Sequence, residues 1–175
     1  MLDVNEILSR YIPSESNLTI DQFESLDSNI TSLILPNWSC NDVNYILFDI
    51  SRFTLLESLE IGNDSFGSVE SFLINDLSKL RSLKIGSNSF SKVKLMDWNN
   101  DDMNIPLMEA LNESKSFHIL NCESLESIEI GECSFNDFGG EFELSNLKSL
   151  KSIKIGSIEN ESYNYLWSSF IIRGM

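Results

Sequence analysis

The chain is short of the side chains that do chemistry. It has one histidine, His118, and three cysteines, Cys40, Cys122 and Cys133, in 175 residues. No cysteine pair has the CxxC spacing of a metal or redox site, and the odd number does not make a disulfide framework. That usage fits a reducing compartment. HExxH, GxSxG, P-loop and GxGxxG patterns are missing. His118 sits between Phe117 and Ile119 in a strand-like run and should face away from both. No catalytic residue, metal site or cofactor is expected, and the chain does not read as an enzyme.

Basic residues are scarce as well: 12 Lys and Arg against 27 Asp and Glu, a formal net charge of -15. This argues against nucleic acid or an anionic membrane surface as the main partner. Acidity that keeps the chain soluble is the plain reading, and a basic partner is compatible with it. No apolar run reaches the length of a membrane span. The opening "MLDVNEILSRYIP" has an acidic residue at position 3 and no apolar h-region, so it does not read as a secretory signal. A cytoplasmic or otherwise intracellular location is expected. Six N-x-S/T sequons, starting at Asn17, Asn29, Asn37, Asn63, Asn112 and Asn160, are discounted in so Asn- and Ser-rich a chain.

What the chain has is repetition. "LESLEIGNDSF" at Leu56 returns as "LRSLKIGSNSF" at Leu80 and "LESIEIGECSF" at Leu125. A shorter "LKSIKIG" starts at Leu150, and a variant starts at Ile30. The intervals between these anchors are 26, 24, 45 and 25 residues. Periods in this range mark a solenoid, whose units bury a core only by stacking. Within a unit, positions 1, 4 and 6 are apolar (Leu80, Leu83 and Ile85 in the third). The alternation from 4 to 6 marks a short strand with one face buried. A second pair recurs eight and six residues before the next anchor: Phe48 and Ile50, Phe72 and Ile74, Phe117 and Ile119, Phe142 and Leu144. Its i, i+2 spacing predicts a second strand in each unit.

Position 9 is Asp64, Asn88 or Cys133, and position 11 is Phe66, Phe90 or Phe135. Together these letters resemble the leucine-rich repeat, L-x-x-L-x-L-x-x-N/C-x-L, of the type found in long arrays in single-celled eukaryotes. The resemblance covers residues 30 to 175, with Trp38 and Ile158 departing from it at position 9 of the outer units. It implies a β-rich leucine-rich-repeat solenoid: a curved right-handed superhelix with a parallel sheet on the concave face. The convex face would carry short strands, or helical or 3₁₀ turns. It also implies an Asn or Cys at position 9 that points inward and hydrogen-bonds the turn, and a non-catalytic protein–protein interaction scaffold. The expected division is an N-terminal cap over 1–25 and a repeat domain over 26–175 of about five units. In the cap, Asp3 and Glu6 with Val4, Ile7, Leu8 and Tyr11 suggest a short helix.

Residues 94–116 break the period and read as an inserted loop, with Pro106 placed to start a short helix over Leu107, Met108 and Leu111. At the other end, Phe170, Ile172 and Met175 fall in the register of Phe72, Ile74 and Leu77. The chain thus stops inside a half-repeat, which suggests a piece of a longer array.

Stacking turns positions into columns. Position 3 is Ser32, Ser58, Ser82, Ser127 and Ser152; position 7 is Pro36 and then Gly62, Gly86, Gly131 and Gly156. Position 5 runs Ile34, Glu60, Lys84, Glu129, Lys154, and position 2 runs Thr31, Glu57, Arg81, Glu126, Lys151, so charge alternates from the second unit on. Neighbouring strands about 4.8 Å apart would pair such charges across the ladder. The concave-face candidates for partner binding are Glu60, Lys84, Glu129 and Lys154, although such small, self-neutralised columns lack large anchors. The anchors stand elsewhere: Trp38, and Trp98 with Asp97, Asp101 and Asp102 in the insertion, where "DWNNDD" lacks EF-hand spacing. The competing reading is a structural segment of a longer array or surface protein with no binding site of its own.

Overall fold

The computed structural model describes residues 10–11, 17–92, 113–157, 164 and 168–174. Each repeat contributes two strands to a parallel β-solenoid. The first sheet orders β1 (Arg10–Tyr11), β2 (Ser32–Leu35), β4 (Ser58–Ile61), β6 (Ser82–Ile85), β8 (Ser127–Ile130) and β10 (Ser152–Ile155). The second orders β3 (Leu47–Asp49), β5 (Ser71–Asn75), β7 (Ser116–Leu120), β9 (Glu141–Ser145) and β11 (Ser169–Arg173). The side opposite the first sheet is therefore built of strands, not helical turns, among the described residues. Register follows the repeat letters: Glu60 faces Lys84, Lys84 faces Glu129, and Glu129 faces Lys154. β6 pairs directly with β8 and β5 with β7, so the 45-residue interval places no strand between them in either sheet.

Inward side chains form two phenylalanine ladders. Phe48, Phe72, Phe117 and Phe142 stack at 4.9, 4.6 and 4.6 Å between centroids. Phe66, Phe90 and Phe135 stack at 5.1 and 4.7 Å. The ladders meet edge to face, as between Phe72 and Phe90 (5.0 Å, 90°) and Phe117 and Phe135 (5.0 Å, 84°). Both arrangements suit the ring quadrupole.

One end of the stack is covered by helix α1 (Ile20–Glu24). Thr19 and Gln22 close a capping box, Thr19 N–H donating to Gln22 Oε1 (2.8 Å) and Gln22 N–H to Thr19 Oγ1 (3.3 Å). Phe23 reaches from α1 onto Phe48, Phe53 and Phe66. Arg52 donates to the carbonyls of Phe23 and Glu24 and stacks 4.4 Å from the Phe53 ring. Of the helix expected around residues 3 to 11, Asp3, Val4, Glu6, Ile7 and Leu8 lie outside the described residues. Tyr11 pairs with Leu33 as a strand, because β2 offers it a free edge. At the far end Ile153 and Ile155 hold inward positions yet are exposed, since no described strand lies beyond β10.

The turns after β2, β4, β6 and β8 correct one expectation. Position 9 does not supply the inward polar side chain. Trp38, Asp64, Asn88 and Cys133 have left-handed backbone there, and so do Cys40, Phe66, Phe90 and Phe135 at position 11. Two left-handed residues flanking position 10 turn that side chain inward instead. Ser39, Ser65, Ser89 and Ser134 are fully buried there. They form a serine ladder: the N–H of Ser39 donates to Ser65 Oγ, that of Ser65 to Ser89 Oγ, and that of Ser89 to Ser134 Oγ, at 3.0–3.1 Å. Ser89 and Ser134 hydroxyls donate in turn to the carbonyls of Gly62 and Gly86 (2.8 and 2.7 Å). The turn's buried backbone groups are thereby satisfied. Gly86 is needed for close approach, since a Cβ there would lie 2.7 Å from Asn63 N and Gly62 C. An asparagine ladder serves the opposite corner: Asn146 donates to Asn121 (2.7 Å), and Asn121 to Asn75 (2.9 Å).

Candidate functional site

The outward side chains of the first sheet are positions 3 and 5, because positions 4 and 6 point into the core. They line a shallow groove across four rungs, bounded by Ser32, Ser58, Ser82 and Ser127 on one side and by Glu60, Lys84 and Glu129 on the other. Three of the four first-sheet candidates are thus brought together, and Lys154 stands opposite Glu129 on β10. Lys84 Nζ lies 2.9 Å from Glu60 Oε1. That hydrogen bond, then the charge of Glu60, holds the Lys84 ammonium above its ordinary pKa, with Glu129 adding a smaller push. In the neighbouring column Glu126 sits between Arg81 (3.4 Å) and Lys151 (2.6 Å). The Lys151 hydrogen bond is the main reason its carboxyl is held below the usual range. Part of the charge alternation along the sequence is thus pairing of charge across the ladder, Lys84 with Glu60 and Glu126 with Arg81 and Lys151, at exposed positions where each pair adds little to stability.

The other candidates do not join this face. Trp38 follows β2 at a left-handed corner and is 53% exposed. Trp98, Asp97, Asp101 and Asp102 lie outside the described residues, as do Pro106, Leu107, Met108 and Leu111. Thiol chemistry finds no support at two of the cysteines. Cys40 and Cys122 are buried, and desolvation pushes their thiols up to about 12 and about 11. Cys40 takes the inward place that phenylalanine holds in the later units.

Two polar arrangements were not foreseen. On the outer face of the second sheet, His118 of β7 meets Glu141 and Glu143 of β9, with one ligand atom from each within 4.8 Å of the others. The sequence did hold the signal: aligning Phe117 with Phe142 puts His118 opposite Glu143. The second is a buried ion pair, Lys115 Nζ to Asp137 Oδ2 at 2.7 Å, both side chains 3% exposed. Asp137 Oδ2 also accepts from the Lys92 N–H (3.4 Å), so it ties together the two ends that flank residues 93–112. Nothing in the repeat pattern signals it, since neither residue holds a repeated position.

No helix among the described residues is long and apolar enough to cross a membrane. No family model, curated protein or solved structure matches the chain.

Proposed function

We propose that the chain is a non-catalytic protein–protein interaction scaffold of the leucine-rich-repeat kind, and that the outer face of its first sheet is the docking surface. The observation that carries this reading is the four-rung groove, a row of serine side chains beside a line of alternating charges. The leucine-rich-repeat assignment draws support from the apolar spacing and the parallel stacking. Serine at position 10 in the place of an inward Asn or Cys at position 9 sets this chain apart within that pattern. The net charge of -15 favours a partner with a basic contact surface.

The ion pairs across the face favour a second reading, a structural segment with no binding site, because they already satisfy Glu60, Lys84, Arg81, Glu126 and Lys151. One experiment separates the two. Crosslinking identifies partners, and binding of the purified partner is then measured against Glu60→Lys/Glu129→Lys and against a chain lacking residues 94–116. The scaffold reading expects the charge reversals to weaken binding at least about tenfold, equivalent to 1.4 kcal/mol. A partner lost only on deleting 94–116 moves the site to the insertion. Failure to capture any saturable partner supports the structural segment.

A further inference from the structure

We propose that His118, Glu141 and Glu143 form a binding site for a borderline divalent cation, with Zn²⁺ as the type ion. β7 and β9 are adjacent interior strands of the second sheet, each hydrogen-bonded on both sides. Alternation along β9 sends Glu141 and Glu143 to the same outer face, while Phe142 and Leu144 enter the core. Register places His118 directly across from Glu143. Side chains of two ligand types therefore share one face of two paired strands before any ion arrives.

Two independent observations point to a cation. The first is the spacing. His118 Nε2 lies 3.5 Å from Glu141 Oε2. Two ligands about 2.0–2.1 Å from one tetrahedral zinc ion stand roughly 3.3–3.5 Å apart. The three ligand atoms, all within 4.8 Å of one another, close to this by rotation of glutamate side chains, and Glu141 is about half exposed. The second is an orphaned atom. His118 Nε2 is covered from solvent and has no hydrogen-bond partner. A covered polar atom left unpaired is costly, and the 3.5 Å contact to Glu141 is too long to serve. A metal ion would satisfy the Nε2 lone pair. An imidazole with two carboxylates suits Zn²⁺, Co²⁺ or Ni²⁺ better than Ca²⁺ or Mg²⁺, which prefer oxygen alone. Three protein ligands also leave a position open for water or for a side chain from another molecule.

The test exploits the single histidine. An untagged chain carrying Cys133→Ser, which removes the less buried thiol, is titrated with Zn²⁺ at neutral pH. Calorimetry and the ring-proton resonances of His118 are followed together. The expected result is one ion per chain at micromolar affinity, with His118 resonances moving in step with the heat. Glu143→Gln and Glu141→Gln, which keep side-chain size, should each weaken binding at least about tenfold. The proposal is overturned if no zinc binds, if the His118 resonances stay unmoved as zinc binds, or if the Glu141→Gln/Glu143→Gln double variant binds zinc as tightly as the parent. Neither outcome depends on a protein partner, so the scaffold reading stands or falls separately.

Discussion

Phe117→Ala should destabilise the chain by about 3–5 kcal/mol. The ring has no exposed surface and stands in mid-ladder, stacked at 4.6 Å on both Phe72 and Phe142 and edge-on to Phe135 at 5.0 Å. Truncation removes stacking on two sides and leaves a cavity that neighbours locked in β5 and β9 cannot easily fill. Against a typical total of roughly 5–15 kcal/mol, this is a large share. Urea denaturation followed by circular dichroism checks it, and Phe117→Leu, which keeps more of the volume, should cost clearly less. A loss below about 1 kcal/mol for the alanine variant would mean that the two ladders do not carry the core.

Lys115→Met should cost a comparable amount, about 3–5 kcal/mol, for a different reason. It leaves the Asp137 carboxylate buried with its cation gone. Asp137 Oδ1 already has no hydrogen-bond partner, and the Lys92 N–H at 3.4 Å is a weak substitute for an ammonium at 2.7 Å. Lys115 Nζ also lies 5.2 Å from the centre of the Phe138 ring, a contact the variant loses. The informative comparison is Lys115→Met/Asp137→Leu. Replacing both partners by apolar side chains removes the desolvation cost of two ions, so the double variant should recover most of the lost stability. If the single and double variants are equally unstable, the interaction across the pair is not what matters at this corner. Because Asp137 joins Lys92 to Lys115, the single variant should also loosen the base of the segment between them, read as faster amide exchange at Lys92.

Much of the fold was legible in the sequence, and the reason is periodicity. Apolar positions 4 and 6 of each unit, and pairs such as Phe72 and Ile74, give the strands, their faces and their register, because the side-chain period of a strand leaves no other arrangement that buries both rows. The alternating charges of Glu60, Lys84 and Glu129 match the direct pairing of β6 with β8. The turn was less legible. Whether position 9 or 10 points inward depends on left-handed backbone at positions 9 and 11, and Phe66, Phe90 and Phe135 are residues that seldom adopt it. Burial of the ring offsets that strain, which local propensity does not reveal. The serine at position 10 recurs in Ser39, Ser65, Ser89 and Ser134, so the column was visible, but its direction was not. Lys115 and Asp137 left no trace at all, since an ion pair made once has no period.

The site residues divide in the same way. Glu60, Lys84 and Glu129 came together because they share a column. Glu141 and Glu143 with His118 became a cluster only once the second-sheet strands were aligned by their phenylalanines.

The solenoid is a single continuous stack in which the rungs on either side of the 45-residue interval touch. Cross-strand nuclear Overhauser effects between the backbone of Leu83–Lys84 and that of Ile128–Glu129 test it most directly. Paired parallel strands lie about 4.8 Å apart, close enough for strong contacts. Those contacts are expected in the register Leu83 to Ile128 and Lys84 to Glu129. A continuous stack is ruled out if they are missing and each strand instead shows contacts to residues within 94–112, which would place a further rung between them.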